Sequence, residues 1–349
     1  MQTPKSLDQK LARIRAGCAT DSDFIIADAK DADMAFGITA PGPQSGHCRH
    51  GYNESDGCWK TLPDYLEQIR AIIKQGIVDI VLLSASNVER LAMNEGLFNQ
   101  SPITPAARAN DTSDIWVVRG GKYPNKPSRS FRSASLDHIK YGQITSDYSA
   151  PVKGADLGLY SITFTNDLEG DHNALEEFHD FRLEAERKRF RYFLEVFNPN
   201  VDPGFDAKKI GAFLNDHIIR CLAGVTSVGR PVFLKIPYNG PGPLEELVSY
   251  DPSLVVGILG GSAGTTLDAF QLLHDAKKHG ARVVLFGRKI NLSEHPLAFV
   301  ELLRRIADGL ITPQEAVNAY HDELHKAGIR PQRPLFQDLQ VTTQVMRYR

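Results

Sequence analysis

Short apolar runs alternate along the chain with longer stretches in which apolar residues recur every three or four positions. The runs lack polar alternation, which is typical of strands buried on both faces of a parallel sheet. The longer stretches are typical of amphipathic helices. Eight runs predict strands, at 24–28, 79–83, 115–119, 157–164, 191–197, 231–236, 253–259 and 282–287.

The helical stretches carry start and stop signals. The first begins with Thr61 and Pro63 and ends at Gly76, an arrangement typical of helix ends. The other main helices are predicted within 172–190, 262–280, 293–309 and 312–328. Eight strand–helix units predict an α/β fold of the (β/α)₈ type, a TIM barrel over about 20–310, in a single domain 1–349. A doubly wound open sheet is the alternative, but no G-x-G-x-x-G follows the first run.

Three segments extend beyond the minimal barrel. Long loops are predicted at 38–61 after the first strand and at 120–150 after the third. Loops that follow barrel strands border the active site, and long loops are often functional. Residues 311–349 form a C-terminal helix and tail, and the tail is a packing arm, an oligomer contact or a disordered end.

Composition narrows the function classes. The net charge is −2, with 40 Lys and Arg against 42 Asp and Glu, so the sequence predicts neither nucleic acid nor an anionic membrane as a partner. The longest apolar runs have about six residues, and the N-terminus lacks the apolar region of a signal peptide. Four cysteines in 349 residues suit a reducing compartment. We therefore expect a cytoplasmic protein.

A lysine near the end of the sixth predicted strand is the first candidate for chemistry. Side chains alternate along a strand, so Lys235 shares one face with Phe233, opposite Val232, Leu234 and Ile236. If the latter face meets the helices, Lys235 points into the barrel near its C-terminal mouth. Burial disfavours an ammonium ion there, and a neutral amine can attack a carbonyl to form a Schiff base. An ion-paired structural lysine is the alternative.

Carboxylates on two other strands fit the same site. Glu195 lies on the same face of the fifth strand as Phe193 and Phe197, and would be a neighbour of Lys235. Such a buried carboxylate pairs with a cation or carries a proton. Asp28 ends the first strand and is predicted to face the mouth, followed by Lys30, a candidate substrate ligand. Asp31 and Asp33 are candidate mouth residues too, or else solvated loop charges.

Glycines after the last two strands indicate an anion site. Gly260 and Gly261 precede Ser262, where a helix start is predicted, and Gly287 precedes Arg288. Glycine lets backbone N–H groups approach a ligand, and phosphate sites after strands seven and eight recur in this barrel. Tight turns without a ligand are the alternative. Arg119 is a further candidate at the mouth, and Trp116 is assigned to barrel packing.

The first long loop raises the question of a metal. His47, Cys48, His50 and Cys58 have a spacing that matches no common structural zinc pattern, so no metal is predicted. A polar loop that partly covers the pocket is the favoured interpretation. Arg49 in that loop could then reach an anionic substrate.

Together these residues resemble a known family. Lys235 in "FLKIPYNG", Gly260–Gly261 and Gly287–Arg288 are similar to the class I, metal-independent aldolases of the archaeal-type fructose-bisphosphate aldolase group. Tagatose-bisphosphate and deoxyribose-phosphate aldolases share that barrel. The segments "DIVLLSASNVERL" and "FGRKINLSEHPLAFVELL" add to the resemblance, which spans about 20–310 and is faint in the two long loops.

The resemblance implies a site and a reaction. It implies that Lys235 forms the Schiff base, that Asp28 is the strand-one aspartate, and that the glycines and Arg288 bind phosphate. Glu195 resembles the strand-five glutamate of the tagatose-bisphosphate branch, whereas the archaeal-type branch has a tyrosine there. Tyr192 is on the opposite face of the strand, so it is a poor substitute for that tyrosine.

The reaction that we predict is reversible carbon–carbon cleavage of a phosphorylated ketose or related sugar, without a cofactor. The proton-transfer group would be Glu195 or Asp28. A metal-independent isomerase or epimerase and a non-catalytic sugar-phosphate-binding barrel stay open as alternatives. A homo-oligomer is possible.

Overall fold

The computed structural model describes residues 3–44, 58–261 and 264–347. Its strands are β1 (Ile25–Lys30), β2 (Ile80–Leu83), β3 (Thr104–Arg108), β4 (Asp111–Thr112), β5 (Ser130–Phe131), β6 (Leu157–Thr163), β7 (Arg191–Phe197), β8 (Leu234–Ile236), β9 (Val256–Leu259) and β10 (Val283–Phe286). All but β4 and β5 close into a barrel in the order β1-β10-β9-β8-β7-β6-β3-β2, with parallel pairing throughout. The predicted (β/α)₈ barrel is confirmed, and an open doubly wound sheet is wrong because the first and last strands pair.

Helices surround the barrel. They are α1 (Ser6–Arg15), α2 (Ala32–Phe36), α3 (Leu62–Gln75), α4 (Ala85–Val88), α5 (Leu136–Tyr141), α6 (Leu168–Arg187), α7 (Ile210–Ala223), α8 (Pro241–Tyr250), α9 (Thr266–Lys278), α10 (Arg288–Asn291), α11 (Pro296–Ala307), α12 (Pro313–Lys326) and α13 (Leu335–Asp338). The helix predicted at 61–76 is confirmed as α3. Thr61 and Asp64 form a capping box at its start, and Gly76 ends it with φ 74°, a left-handed conformation that glycine adopts without strain.

The third predicted strand is wrong. The barrel strand is β3, whereas the run 115–119 begins in a 3₁₀ turn and continues as an irregular segment. Trp116 is 39% exposed and stacks on Tyr123 at 4.2 Å, so it packs on a loop and not in the barrel. The strand was not predicted because the sequence of β3 is Thr-Pro-Ala-Ala-Arg, and alanine and proline have a low preference for strands.

Alternation along the strands separates two cores. The inner core contains Phe193 and Phe233, whose rings stack at 4.5 Å, together with Ala27. Leu234 and Ile236 belong instead to the core between the strands and the helices. The predicted orientation of the sixth barrel strand is therefore confirmed for these residues. It is wrong for Val232, which precedes β8 and packs against the inner core.

The C-terminal residues pack against the barrel. Helix α12 contacts α9 and α11, and the segment after it crosses to the start of α9, where Met346 is buried. Of the alternatives for this tail, the structure shows a packing arm. In the described part of the chain, no helix is long and apolar enough to cross a membrane. Cys18 and Cys221 are free thiols, but Cys58 is in a disulfide, so the expectation of reduced cysteines is wrong for that residue.

The N-terminal end of the barrel is closed by α1, whose Leu7 and Leu11 join the inner core. Arg13 fixes this helix to the turn before β1, because its Nε donates to Asp23 Oδ1 at 2.6 Å. The hydrogen bond from Arg13 lowers the pKa of Asp23 to about 2, below its ordinary 3.8.

The Asp23→Asn variant should lose about 1 kcal/mol of unfolding free energy at pH 7, because an ion pair and its hydrogen bonds are weakened. A carboxylate with a depressed pKa stabilises the fold above its unfolded value, and this contribution disappears as the pH falls from about 4 to 2. Denaturant unfolding at pH 7, 5, 4 and 3 measures the difference between wild type and variant. A difference that stays constant over this range would contradict the assignment.

Candidate active site

A cavity of about 240 Å³ lies at the C-terminal mouth of the barrel, and both Lys235 and Glu195 line it. The parallel register of β7 and β8 pairs these two residues directly. Lys235 Nζ lies 2.5 Å from Glu195 Oε1, and the side chains are only 8% and 1% exposed. Position on adjacent strands thus produces a buried amine–carboxylate pair that opens onto a cavity.

An arginine that was not predicted from the sequence completes the charged part of the site. Arg108, at the end of β3, donates from Nε to Asp31 Oδ2 at 2.5 Å and from Nη1 to Ser161 Oγ at 3.2 Å. Ser161 Oγ donates in turn to Glu195 Oε2 at 2.7 Å. Burial opposes the charge on Arg108, but the carboxylates of Asp31 and Glu195 outweigh it and raise the pKa of the guanidinium. Glu195 is therefore held in place from the side opposite Lys235.

The charges that follow β1 are not solvated. Asp31 lines the cavity and is 6% exposed, while Asp33 Oδ2 accepts hydrogen bonds from Ser84 Oγ and Asn87 Nδ2. The interpretation of both as loop charges in water is wrong. Asp31 takes the position at the mouth that was predicted for Asp28.

Asp28 and Lys30 lie on the other face of β1. Ala27 and Ala29 face the barrel interior, so Asp28 and Lys30 point toward the helices. Lys30 Nζ lies 3.1 Å from Asp28 Oδ2 and donates to Asn291 of α10, and both residues are fully buried. Neither lines the cavity. The predicted catalytic position of Asp28 and the predicted substrate contact of Lys30 are wrong, because alternation along β1 directs them away from the mouth.

This placement makes Asp28 and Lys30 a structural pair. Burial raises the pKa of Asp28 and lowers the pKa of Lys30, so each charge depends on the other for compensation. Lys30→Met alone should cost about 3 kcal/mol of unfolding free energy, since it leaves a buried carboxylate without its partner.

The double variant Asp28→Asn with Lys30→Met removes both charges and should recover most of that loss. Because neither residue touches the cavity, the double variant should also keep the Lys235–Glu195 pair intact, so the variant and the wild type should give the same result when a carbonyl compound and borohydride are added. Denaturant unfolding and borohydride trapping measure the two properties. If the double variant folds normally but gives no borohydride-reduced adduct where the wild type does, Asp28 or Lys30 would be part of the site after all.

The glycine loops lie where predicted, but the helix start beside them does not offer a free anion site. Gly260 and Gly287 line the cavity. A Cβ at Gly260 would come within 2.0 Å of the Phe286 ring, and one at Gly287 within 2.9 Å of Ala29 O, so only glycine fits. Gly260 N donates to Leu285 O at 2.6 Å, whereas a Cβ at Gly261 would meet nothing within 4 Å. Ser262 lies outside the described residues.

The N-terminus of α9 is filled from within the chain. The N–H of Thr266 donates to Asp338 Oδ1 at 2.7 Å, and Asp268 closes a capping box with Thr265. The same Asp268 carboxylate accepts from the N–H groups of Thr342 and Thr343. The prediction that this helix start binds an external anion is therefore wrong, because carboxylates of α9 and of the C-terminal arm already occupy it.

Of the two arginines predicted at the mouth, one lines the cavity and the other does not. Arg288 lines the cavity, with its guanidinium 5.5 Å from the centre of the Phe36 ring. Arg119 is exposed and does not line the cavity, because the strand that was predicted to carry it is a loop. The zinc candidates His47, Cys48 and His50, with Arg49, lie outside the described residues.

The site is thus a buried lysine–glutamate pair at the mouth of a parallel barrel, facing glycine loops. No protein-family model matches the chain. No curated protein sequence matches it either. Solved structures share its fold, and they include class I aldolases.

An archaeal fructose 1,6-bisphosphate aldolase superposes with a TM-score of 0.58 at 17% identity, covering 87% of this chain and 99% of its own. A Schiff-base-forming fructose-1,6-bisphosphate aldolase gives a TM-score of 0.58 at 18% identity, over 87% and 100% of the two chains. The fructose-bisphosphate aldolase from Slackia heliotrinireducens DSM 20476 gives 0.62 at 16%, over 91% and 90%. The predicted resemblance to this group is confirmed at the level of the fold.

Tyr192 lies on the face of its strand opposite Glu195, as predicted, so it is a poor proton donor for this site. It is in the core between strands and helices, and its hydroxyl donates to Gly229 O at 2.7 Å. A carboxylate, Glu195, therefore occupies the position beside the lysine.

Proposed function

We propose that the chain is a class I aldolase that forms or cleaves a carbon–carbon bond in a phosphorylated ketose or related sugar through a Schiff base on Lys235. The observation that carries this proposal is the 2.5 Å contact between Lys235 Nζ and Glu195 Oε1 at the edge of a cavity. A lysine nucleophile needs a neighbouring group that takes its proton, and Glu195 is in place to do so.

The first steps attach the substrate. Glu195 accepts a proton from the Lys235 ammonium, and the free amine attacks the carbonyl carbon while the carbonyl π electrons move to oxygen. Glu195 returns the proton to that oxygen and takes one from the attached nitrogen, which gives a neutral carbinolamine. Glu195 then donates this proton to the hydroxyl, water leaves, and the nitrogen lone pair forms the iminium.

The iminium then acts as the electron sink. A base takes the proton from the β-hydroxyl, the bond between the α and β carbons breaks, and its electron pair moves to nitrogen as an enamine. The aldehyde fragment leaves, the α carbon is protonated, and water hydrolyses the iminium to regenerate Lys235. We assign the β-hydroxyl proton to Glu195, since Asp28 faces the helices.

The other cavity residues orient this chemistry. Arg108 and Ser161 hold Glu195 Oε2, so that Oε1 stays directed at Lys235. Gly261, Gly287 and Arg288 are the candidates for holding the phosphate of the substrate, on the side of the mouth opposite Ser161. Binding energy from that group would position the reacting carbon over the amine.

Borohydride trapping tests the function. The protein is incubated with a panel of phosphorylated ketoses, with and without sodium borohydride, and its intact mass and the released aldehyde are measured. Aldehyde release together with a reduced adduct is the expected result. Isomerised sugar without an adduct would favour an isomerase or epimerase, and binding with neither product nor adduct would favour a binding protein. Either outcome would overturn the aldolase proposal.

A further inference from the structure

The charges around the cavity are unevenly distributed. In the described part of the chain, the lining residues with positive charge are Arg108, Lys235 and Arg288, and those with negative charge are Asp31, Asp114 and Glu195. Four of these six compensate one another, since Arg108 contacts Asp31 and Lys235 contacts Glu195. The remaining two, Arg288 and Asp114, decide what charge a ligand can carry at each end.

Arg288 and Asp114 lie on opposite walls. Arg288 follows β10, and the Asp114 carboxylate accepts hydrogen bonds at 3.1 Å from Thr163, the last residue of β6. In the closed barrel β10 and β6 are diametrically opposed, and β8, which carries Lys235, lies midway between them. A ligand that spans the cavity therefore has one end at Arg288, its middle at Lys235 and its other end at Asp114.

The two ends differ in what they accept. Within the described ranges, Arg288 has no carboxylate within ion-pair distance, and it directly follows Gly287, which lines the same cavity. Asp114 is held by hydroxyl groups, those of Thr163 and Ser128, and by no described cation. A second phosphate near this carboxylate would meet a like charge, whereas hydroxyl groups would find an acceptor.

The apolar residues that line the cavity also fit a site with one cationic end. Phe36, Ile115, Val117 and Phe197 also line the cavity and offer no cation to a second anion. Arg119 is exposed outside it, and Lys30 is sealed behind β1 with Asp28. Arg119 and Lys30, two of the basic residues predicted at the mouth, are therefore not available there.

We infer that the site takes a carbonyl substrate with a single anionic group, held on the Arg288 side, and an uncharged hydroxylated end that faces Asp114. The inference rests on the proposed function and narrows its substrate class to monophosphates, in preference to bisphosphates.

Trapping with matched sugars tests the inference. Fructose, fructose 1-phosphate, fructose 6-phosphate and fructose 1,6-bisphosphate are each titrated in the presence of borohydride, and the concentration that gives half-maximal adduct is measured. At least one monophosphate should reach half-maximal trapping at a concentration about tenfold or more below those of the bisphosphate and of fructose.

Two variants locate the cause. Arg288→Gln should raise the half-maximal concentration of the preferred monophosphate toward that of fructose and leave fructose unchanged. Asp114→Asn keeps an oxygen for Thr163 and Ser128, and it should lower the value for the bisphosphate while changing that for the monophosphate much less. Each variant is measured with two sugars. A change confined to one sugar reports the lost charge, whereas general damage to the fold would affect both sugars.

The outcomes distinguish this inference from the function on which it rests. A bisphosphate trapped as well as or better than both monophosphates, or an Asp114→Asn variant with unchanged preference, would overturn the inference alone. Failure to trap any of the four sugars, together with no trapping across the wider ketose panel, would overturn the proposed function and the inference with it.

Discussion

The Lys235→Met variant is expected to lose Schiff-base formation entirely and to reduce turnover by about 10⁴-fold or more, because no electron sink remains. Lys235 is the one lysine among the described residues that line the cavity, so no other amine there can replace it. Methionine has a similar length and no charge. It leaves Glu195 without its ion pair, but Arg108 and Ser161 still contact that carboxylate.

The control is a second lysine–carboxylate pair in the same chain. Lys277 is 18% exposed and lies 2.9 Å from Asp21, but it is in α9, away from the cavity. Lys277→Met should keep both turnover and the trapped adduct. Activity that persists in a folded Lys235→Met variant would contradict the covalent mechanism.

The second large effect is expected at Glu195. Glu195→Gln conserves the shape of the side chain and its hydrogen bond to Ser161, but it removes the proton acceptor beside Lys235. Positioned acid–base groups typically contribute about 10²–10⁴-fold, so adduct formation should slow by that factor. The amount of adduct reached after long incubation should change less than the rate, because the amine itself is still present.

Glu184→Gln is the matched control for the loss of one carboxylate. Glu184, on α6 and outside the cavity, pairs with Arg132 and Lys188, and its replacement should leave the trapping rate unchanged. Rapid-quench trapping followed by mass spectrometry measures the rates. A Glu195→Gln variant with the wild-type rate would assign proton transfer to another group.

Several features of the site could be predicted because they depend on simple alternation. Phe233 and Lys235 share a face of β8, and the adjacent strand β7 brings Glu195 beside Lys235. The same rule explains why Asp28 was misplaced. Ile25, Ala27 and Ala29 are the inward residues of β1, and the small side chain of Ala29 lines the cavity at the mouth.

Arg108 could not be found from hydrophobicity. Its strand contains two alanines and a proline, while the nearby run 115–119 is more apolar but lies on a loop. Tertiary packing in the barrel, and not hydrophobicity, determines that 104–108 forms the strand and that 115–119 does not. The filled N-terminus of α9 was equally hidden, because Asp338 reaches Thr266 from 72 residues away in the chain.

The central claim is that Lys235 is the residue that binds the substrate covalently. Proteolysis and tandem mass spectrometry of the borohydride-reduced adduct test it most directly. We expect the added sugar mass on the peptide that contains Lys235, and the other lysine peptides unmodified. Substrate turnover with the adduct on a different lysine, or with Lys235 unmodified, would contradict the account.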